Sequence, residues 1–348
     1  MEGAPSVRAG ALPGLDTVRF LLAINVLLVH TTSDALFNPG FRPTAFFVLS
    51  GYVVSYRLLL ETQTTGAINL RAFYRRRAWR LLPSYYAVVF VGAVILPLCG
   101  VTAPSPPALL SILLLAPQLL HAYHWPAGVL FPLWSIGVEQ MFYAVFPLLL
   151  RRVPLVRVCL GVIAGWTLLS ALAFALNSPL LPLLRVMRFE CMAVGGLAAW
   201  LVVNRSRWLR LVYHRAAEIT AIALALVGSV VPFAVPLADL ILSVIIAVFL
   251  VNLSTHPQPQ LRLEWRWSRA AGHLSYGLYL WHVPVFACLW QIMDGIPLLL
   301  ATVVVSLLVA WISYEIIERP LRERGSLSRH KGASRPHPAV TMQNEFML

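Results

Sequence analysis

Ten stretches of this chain, each about 20 residues long, are almost wholly apolar and long enough to cross the hydrocarbon core of a bilayer. Lipid offers the backbone no hydrogen-bonding partner, so each such stretch must satisfy its own N–H and C=O groups, and at this length that means a helix. The expected fold is all-α, a polytopic transmembrane bundle with spans at about 14–33, 41–60, 81–101, 132–150, 155–176, 184–203, 216–234, 236–253, 273–292 and 297–317. Composition agrees: 59% of residues are hydrophobic and 12% are charged, too apolar a balance for an ordinary soluble domain.

The net charge of +13 does not point to nucleic acid. The arginines sit in short loops at 71–80, 151–157, 205–215 and 262–269 and in the tail, where the positive-inside rule places them on the cytosolic side. That solution requires 108–120, which is short and carries Pro117, to be re-entrant or interfacial rather than a full crossing, and it puts both termini in the cytosol. Residues 1–12 then form a polar leader, 13–320 the membrane domain and 321–348 a disordered tail rich in Arg, Ser, His and Pro. The first apolar run contains Asp16 and Arg19, so it reads as a span and not as a cleavable signal. Cys99, Cys159, Cys191 and Cys288 lack paired spacing, which argues against a disulfide framework or a zinc site.

Function is written in the charges that the rule does not explain. Glu139 lies inside an apolar run, as do Arg19 and His282, while Arg188 and Glu190 open another run and His30 closes the first. An ionisable group at such depth is costly and marks a site by default. Eleven residues separate Arg19 from His30, which places them about 20° apart around a helix axis and about 16 Å apart along it. Histidine is the side chain best suited to move protons near neutral pH. Arg42 and Arg185, at outward ends, are open to a plain reading as snorkelling residues. The loop 61–80 holds Arg71, Arg75, Arg76, Arg77 and Arg80 among aromatics, and guanidinium forks there would suit a phosphorylated cytosolic ligand.

Other features read as structural. Gly161 and Gly165 fit a close helix-packing patch. Ser50-Gly51 fits a tight backbone approach, and Ser275 a helix cap. His121 and His124 lack a nearby carboxylate or cysteine to complete a metal site.

Seven motifs in order carry a family resemblance from about residue 13 to 322. They are Leu15-Asp16 with Arg19 and His30; Phe46-Phe47-Val48-Leu49-Ser50-Gly51-Tyr52; Arg76-Arg77-Ala78-Trp79-Arg80 through Tyr85; Trp134-Ser135 with Glu139 and Phe142-Tyr143; Arg188-Phe189-Glu190 with Gly195-Gly196; Ser275 through Pro284, including His282; and Glu318-Arg319-Pro320. Together they resemble the bacterial acyltransferase-3 family of integral membrane O-acyltransferases. The departures are Thr17 and Phe20 in place of small residues beside the first arginine, and the absence of a polar residue before Phe46, which bear on the acceptor pocket more than on the chemistry.

The resemblance implies an enzyme of the bacterial cytoplasmic membrane that moves an acyl group, most commonly acetyl, from cytosolic acyl-CoA to a hydroxyl on a glycan, a lipid-linked sugar or a macrolide. Acyl-CoA would be a substrate, with no permanently bound cofactor and no metal. Transfer from a thioester to an alcohol needs a base and an oxyanion stabiliser. On this reading His30 is the base or acyl relay, Arg19 and Arg188 stabilise charge, Glu139 and Glu190 orient a histidine or bind acceptor hydroxyls, and Arg76, Arg77 and Arg80 hold the donor phosphates. Asp16, Trp134, Ser135, Tyr143, His282 and Glu318 line or support the site. A transporter or flippase whose charges line a pathway without chemistry is the alternative, although no inverted repeat is evident; a non-catalytic scaffold would not need histidine and arginine on one helix face.

Overall fold

A computed structural model describes residues 12–32, 38, 40–231 and 237–321. The expected leader and tail lie almost wholly outside these residues.

The protein is a multi-pass membrane bundle in which every described element is helical. Helices α1 (Leu15–Thr31), α2 (Phe41–Thr65) and α3 (Leu70–Leu98) are followed by two short helices, α4 (Pro106–Leu113) and α5 (Gln118–Ala122). Then come α6 (Gly128–Leu150), α7 (Leu155–Ala175), α8 (Leu181–Met187), α9 (Phe189–Val203), α10 (Arg215–Val230), α11 (Ala238–Thr255), α12 (Ser268–Leu289) and α13 (Gly295–Leu321). Seven segments are long and apolar enough to cross a membrane, with α8 and α9 counted as one; α1, α10 and α12 stand at the other three expected spans and are shorter or more polar than those seven.

Segment 108–120 is taken up by α4 and α5, of 8 and 5 residues, and neither is long enough to span. It docks on α6 where a side chain at Gly137 would strike Gln118 and Pro117. Loop 61–80 proves mostly helical: only residues 66–69 separate α2 from α3, because Asn69 caps α3 by accepting from the Ala72 amide. Arg71 to Arg80 therefore ride on the first turns of a long helix.

The expected single span at 184–203 is interrupted. Arg188 adopts a left-handed conformation, φ 40° and ψ 45°, that costs a non-glycine residue on the order of 1–3 kcal/mol. Its side chain compensates. Nε donates to the Arg185 carbonyl (3.0 Å), and Nη1 donates to the Gly40 carbonyl (3.1 Å) and Thr44 Oγ1 (3.0 Å) and lies 3.0 Å from the Asp239 carboxylate.

The tightest packing in the bundle joins α2 to α9. Gly51 faces the Met192 backbone and Gly195 faces the Val48 carbonyl so closely that neither has room for a Cβ. The anticipated patch at Gly161 and Gly165 is a correction: nothing lies within 4 Å of a Cβ built at either, since α7 sits at the rim with most of its surface unburied.

Two ends of the bundle can be told apart. Gly40, at the start of α2, lies beyond the last turn of α1, and Arg188 and Asp239 join it there. The opposite end holds the starts of α1, α3 and α12, with Thr17 hydrogen-bonded to Ser268 (2.9 Å).

Candidate active site

A partly open cavity of about 80 Å³ runs between α1, α2, α3, α6 and α12. Arg19, Arg77 and Arg80 line it from the end where α3 begins; Ser50, Ser135, Glu139 and Tyr143 line its middle, with Tyr276 and Tyr279 opposite. Arg19 lies 3.7 Å from Asp16, which rests against Gly272 of α12 where no other residue would fit. Arg57 of α2 is within electrostatic reach of Arg80, Arg77 and Arg19, so four guanidinium groups converge, with Asp16 beside Arg19 and Arg57 and Glu139 beside Arg77. Sequence reading missed Arg57, which falls inside the expected span 41–60 near its end; its place near Arg77 follows only from how α2 and α3 pack.

Glu139 is the centre of the cavity. Ser50 Oγ donates to its Oε1 at 2.6 Å and Tyr143 OH donates to Oε2 at 3.0 Å. The Arg77 guanidinium stacks 4.4 Å above the Tyr143 ring, so a cation reaches the carboxylate through an aromatic hydroxyl. Ser50 therefore does more than permit close backbone approach, and Ser275 is a correction: it lies inside α12, lines the cavity and donates to the Gly272 carbonyl (2.8 Å) instead of capping a helix.

Towards the other end the polar path becomes aromatic and then imidazole. Tyr279 OH donates to the Pro132 carbonyl (2.7 Å), which uses its one hydrogen, so the 2.7 Å contact with Ser135 is a bond that Ser135 donates. One turn on, buried His282 has Nδ1 at 2.7 Å from the Tyr279 carbonyl and Nε2 at 3.3 Å from His30 Nδ1; His30 Nδ1 is also 2.8 Å from the Val26 carbonyl. Carbonyls only accept, so each Nδ1 carries a hydrogen. The one on His30 goes first to Val26 and reaches His282 Nε2 as the longer branch of a shared bond, and Nε2 is the nitrogen of His30 that carries no proton. The two rings are 5.1 Å apart, with His282 enclosed and His30 exposed.

The remaining candidate residues lie outside the cavity lining. Arg76 turns away on α3 to meet Glu61 at 3.3 Å, one helical position being enough to separate it from Arg77. Arg188 is engaged at the hinge between α8 and α9, and Glu190 follows it in the first turn of α9, with Oε2 buried and lacking a hydrogen-bond partner. Trp134 packs edge-on against Phe47 and face-to-face against His121, 4.4 Å between ring centroids. Glu318 is buried in a π-helical turn of α13, where it accepts from Ser84 Oγ at 3.3 Å.

The chain is similar to known proteins over most of its length. Residues 12–315 match the acyltransferase domain family whose motifs are described above. The chain is 24% identical to O-acetyltransferase OatA of Staphylococcus aureus (strain NCTC 8325 / PS 47), over 90% of this chain and 58% of the relative. It is 26% identical to peptidoglycan O-acetyltransferase OatA of Listeria monocytogenes (strain ATCC BAA-679 / EGD-e), over 92% of this chain and 57% of the relative. The chain thus spans a little over half the length of these relatives. No solved structure matches it. With the family match running through nearly every helix that builds the cavity, the chain belongs to the acyltransferase-3 family.

Proposed function

We propose that the protein is a membrane O-acyltransferase that takes an acyl group, acetyl in the simplest case, from cytosolic acyl-CoA and delivers it to a hydroxyl of a glycan acceptor on the far side. One observation carries this reading: arginines gather at one end of a polar path through the bundle and a histidine pair closes the other. The relatives' names, which describe O-acetylation and, in Listeria, peptidoglycan, support the reaction class and a glycan acceptor.

Each end suits its substrate. The phosphates of acyl-CoA match the forks of Arg77 and Arg80, with Arg57 and Arg19 adding positive charge. A bacterial cytoplasmic membrane with both termini inside places this end in the cytosol. The cavity, about 80 Å³, has room for an acetyl group drawn in from the donor.

The reaction then balances on the residues present. The acceptor hydroxyl gives its proton to His30 Nε2 as its oxygen attacks the acyl carbon. His282 Nε2 accepts a stronger hydrogen bond from the resulting imidazolium. Arg19, about 16 Å from His30 along α1, stays at the donor end and adds to the charge that holds the phosphates. Collapse breaks the carbon–sulfur bond, and the proton on His30 is delivered to the departing thiolate, giving free coenzyme A and the ester.

The test is acetyl transfer by the protein reconstituted in vesicles, with radiolabelled acetyl-CoA and an oligosaccharide acceptor on opposite sides. His30→Ala is expected to abolish ester formation with insertion intact, and Arg77→Ala with Arg80→Ala to raise the donor KM before turnover fails. Ester formation at the wild-type rate by His30→Ala overturns the assignment, and passage of unmodified acceptor across the vesicle would instead identify a transporter.

A further inference from the structure

A second and larger recess, about 250 Å³, opens between α5 and α8. It lies at the same end of the bundle as His30, because Arg185 precedes by one turn the Arg188 that is bound to Gly40. Its walls carry His121, His124 and Arg185 over an apolar floor that includes Pro182 and Val186.

Three observations set this recess apart from an accidental groove. Arg185 has no ion-pair partner among the described residues, its guanidinium lying 5.9 Å from the Phe174 ring, whereas neighbouring Arg188 is neutralised by Asp239. His121 keeps Nδ1 buried without a hydrogen-bond partner, so its other ring nitrogen is the one that can donate to an occupant. Burial, with the charges of His124 and Arg188, pushes the His121 imidazole down to about 4, so at neutral pH it is an uncharged donor beside a cation.

The recess also communicates with the reaction path. His121 stacks on Trp134, and the next residue, Ser135, lines the cavity and bonds Tyr279, whose carbonyl holds His282. One aromatic layer separates the two spaces.

We propose that this recess is an acceptor subsite that binds an anionic group, a sugar carboxylate or phosphate, with Arg185 pairing the charge, His121 supplying a hydrogen bond and His124 closing the rim. The proposal rests on the acyl-transfer reading only in naming the acceptor as the molecule that bears the anion.

The experiment reads binding without turnover. The purified full-length protein in nanodiscs is melted with glucuronate, with its uncharged amide glucuronamide, or with inorganic phosphate, and separately with coenzyme A. Arg185→Gln and His121→Phe are compared with wild type; the phenylalanine keeps the ring on Trp134. A stabilising shift with glucuronate or phosphate, absent with glucuronamide and lost in both variants while the coenzyme A shift persists, is the expected result. The stronger of the two anions then identifies the carboxylate or the phosphate as the source. With an anionic acceptor, Arg185→Gln should also raise the acceptor KM about tenfold, the worth of one charge-assisted hydrogen bond. Equal shifts with glucuronate and glucuronamide, an anion shift that survives in the variants, or no shift with either anion overturns the subsite. Failure of acyl transfer itself would leave the anion result standing, so the two proposals fall separately.

Discussion

His282 has one nitrogen committed to a backbone carbonyl and the other to a second imidazole, and this makes it a positioning residue with a measurable signature. Removing it as His282→Ala should lower kcat for acetyl transfer by at least about tenfold with little change in donor KM, since it supports the base and not the phosphates. His282→Gln can present an amide oxygen to the His30 Nδ1 hydrogen and should recover part of the loss, whereas a purely packing role would predict no such recovery. The side chain's membership of the site was legible in sequence from its motif, and Glu139 was legible from its burial cost alone. Their partners were not. That Glu139 is held by Ser50, 89 residues away, and His30 by His282, 252 residues away, depends on which helices become neighbours, and no spacing within one helix encodes that.

The contrast between α2–α9 and α7 belongs to the helices as units. A side chain at Gly51 would land on the Met192 backbone, and the two helices would have to part, at a cost of about 1–3 kcal/mol or more. Gly51→Val should therefore lower the apparent melting temperature in detergent, while Gly161→Val should leave it within error; equal effects would mean that α7 packs against something in the membrane. Sequence alone pointed to the wrong glycines because small-xxx-small spacing shows that a helix can be approached closely and says nothing about whether another helix is there. The spans themselves were readable because spanning length and hydropathy are local properties. The hinge at Arg188 was not, since no glycine or proline marks it and the conformation is set by partners on α2 and α11.

At the scale of the whole molecule, the division into an arginine end and a histidine end makes a prediction about sidedness. In a background with the exposed Cys99 and Cys288 replaced by serine, Tyr123→Cys on the exposed turn after α5 should react with a membrane-impermeant thiol reagent in intact cells, and Arg207→Cys should react only after permeabilisation. The reverse pattern would invert the bundle and place the arginines away from any cytosolic donor. Ala127, between α5 and α6, is buried and would label poorly on either side. A row of polar groups through a bilayer also raises a problem of electrical insulation. Charged residues at both ends of a span-long path are the layout of a proton leak. Tyr279 and Tyr143 at its middle spend their hydroxyl hydrogens on the Pro132 carbonyl and the Glu139 carboxylate, so neither can hand a proton on without first breaking that bond. The same hydrogen bonds that organise the site thus oppose a relay of protons along it.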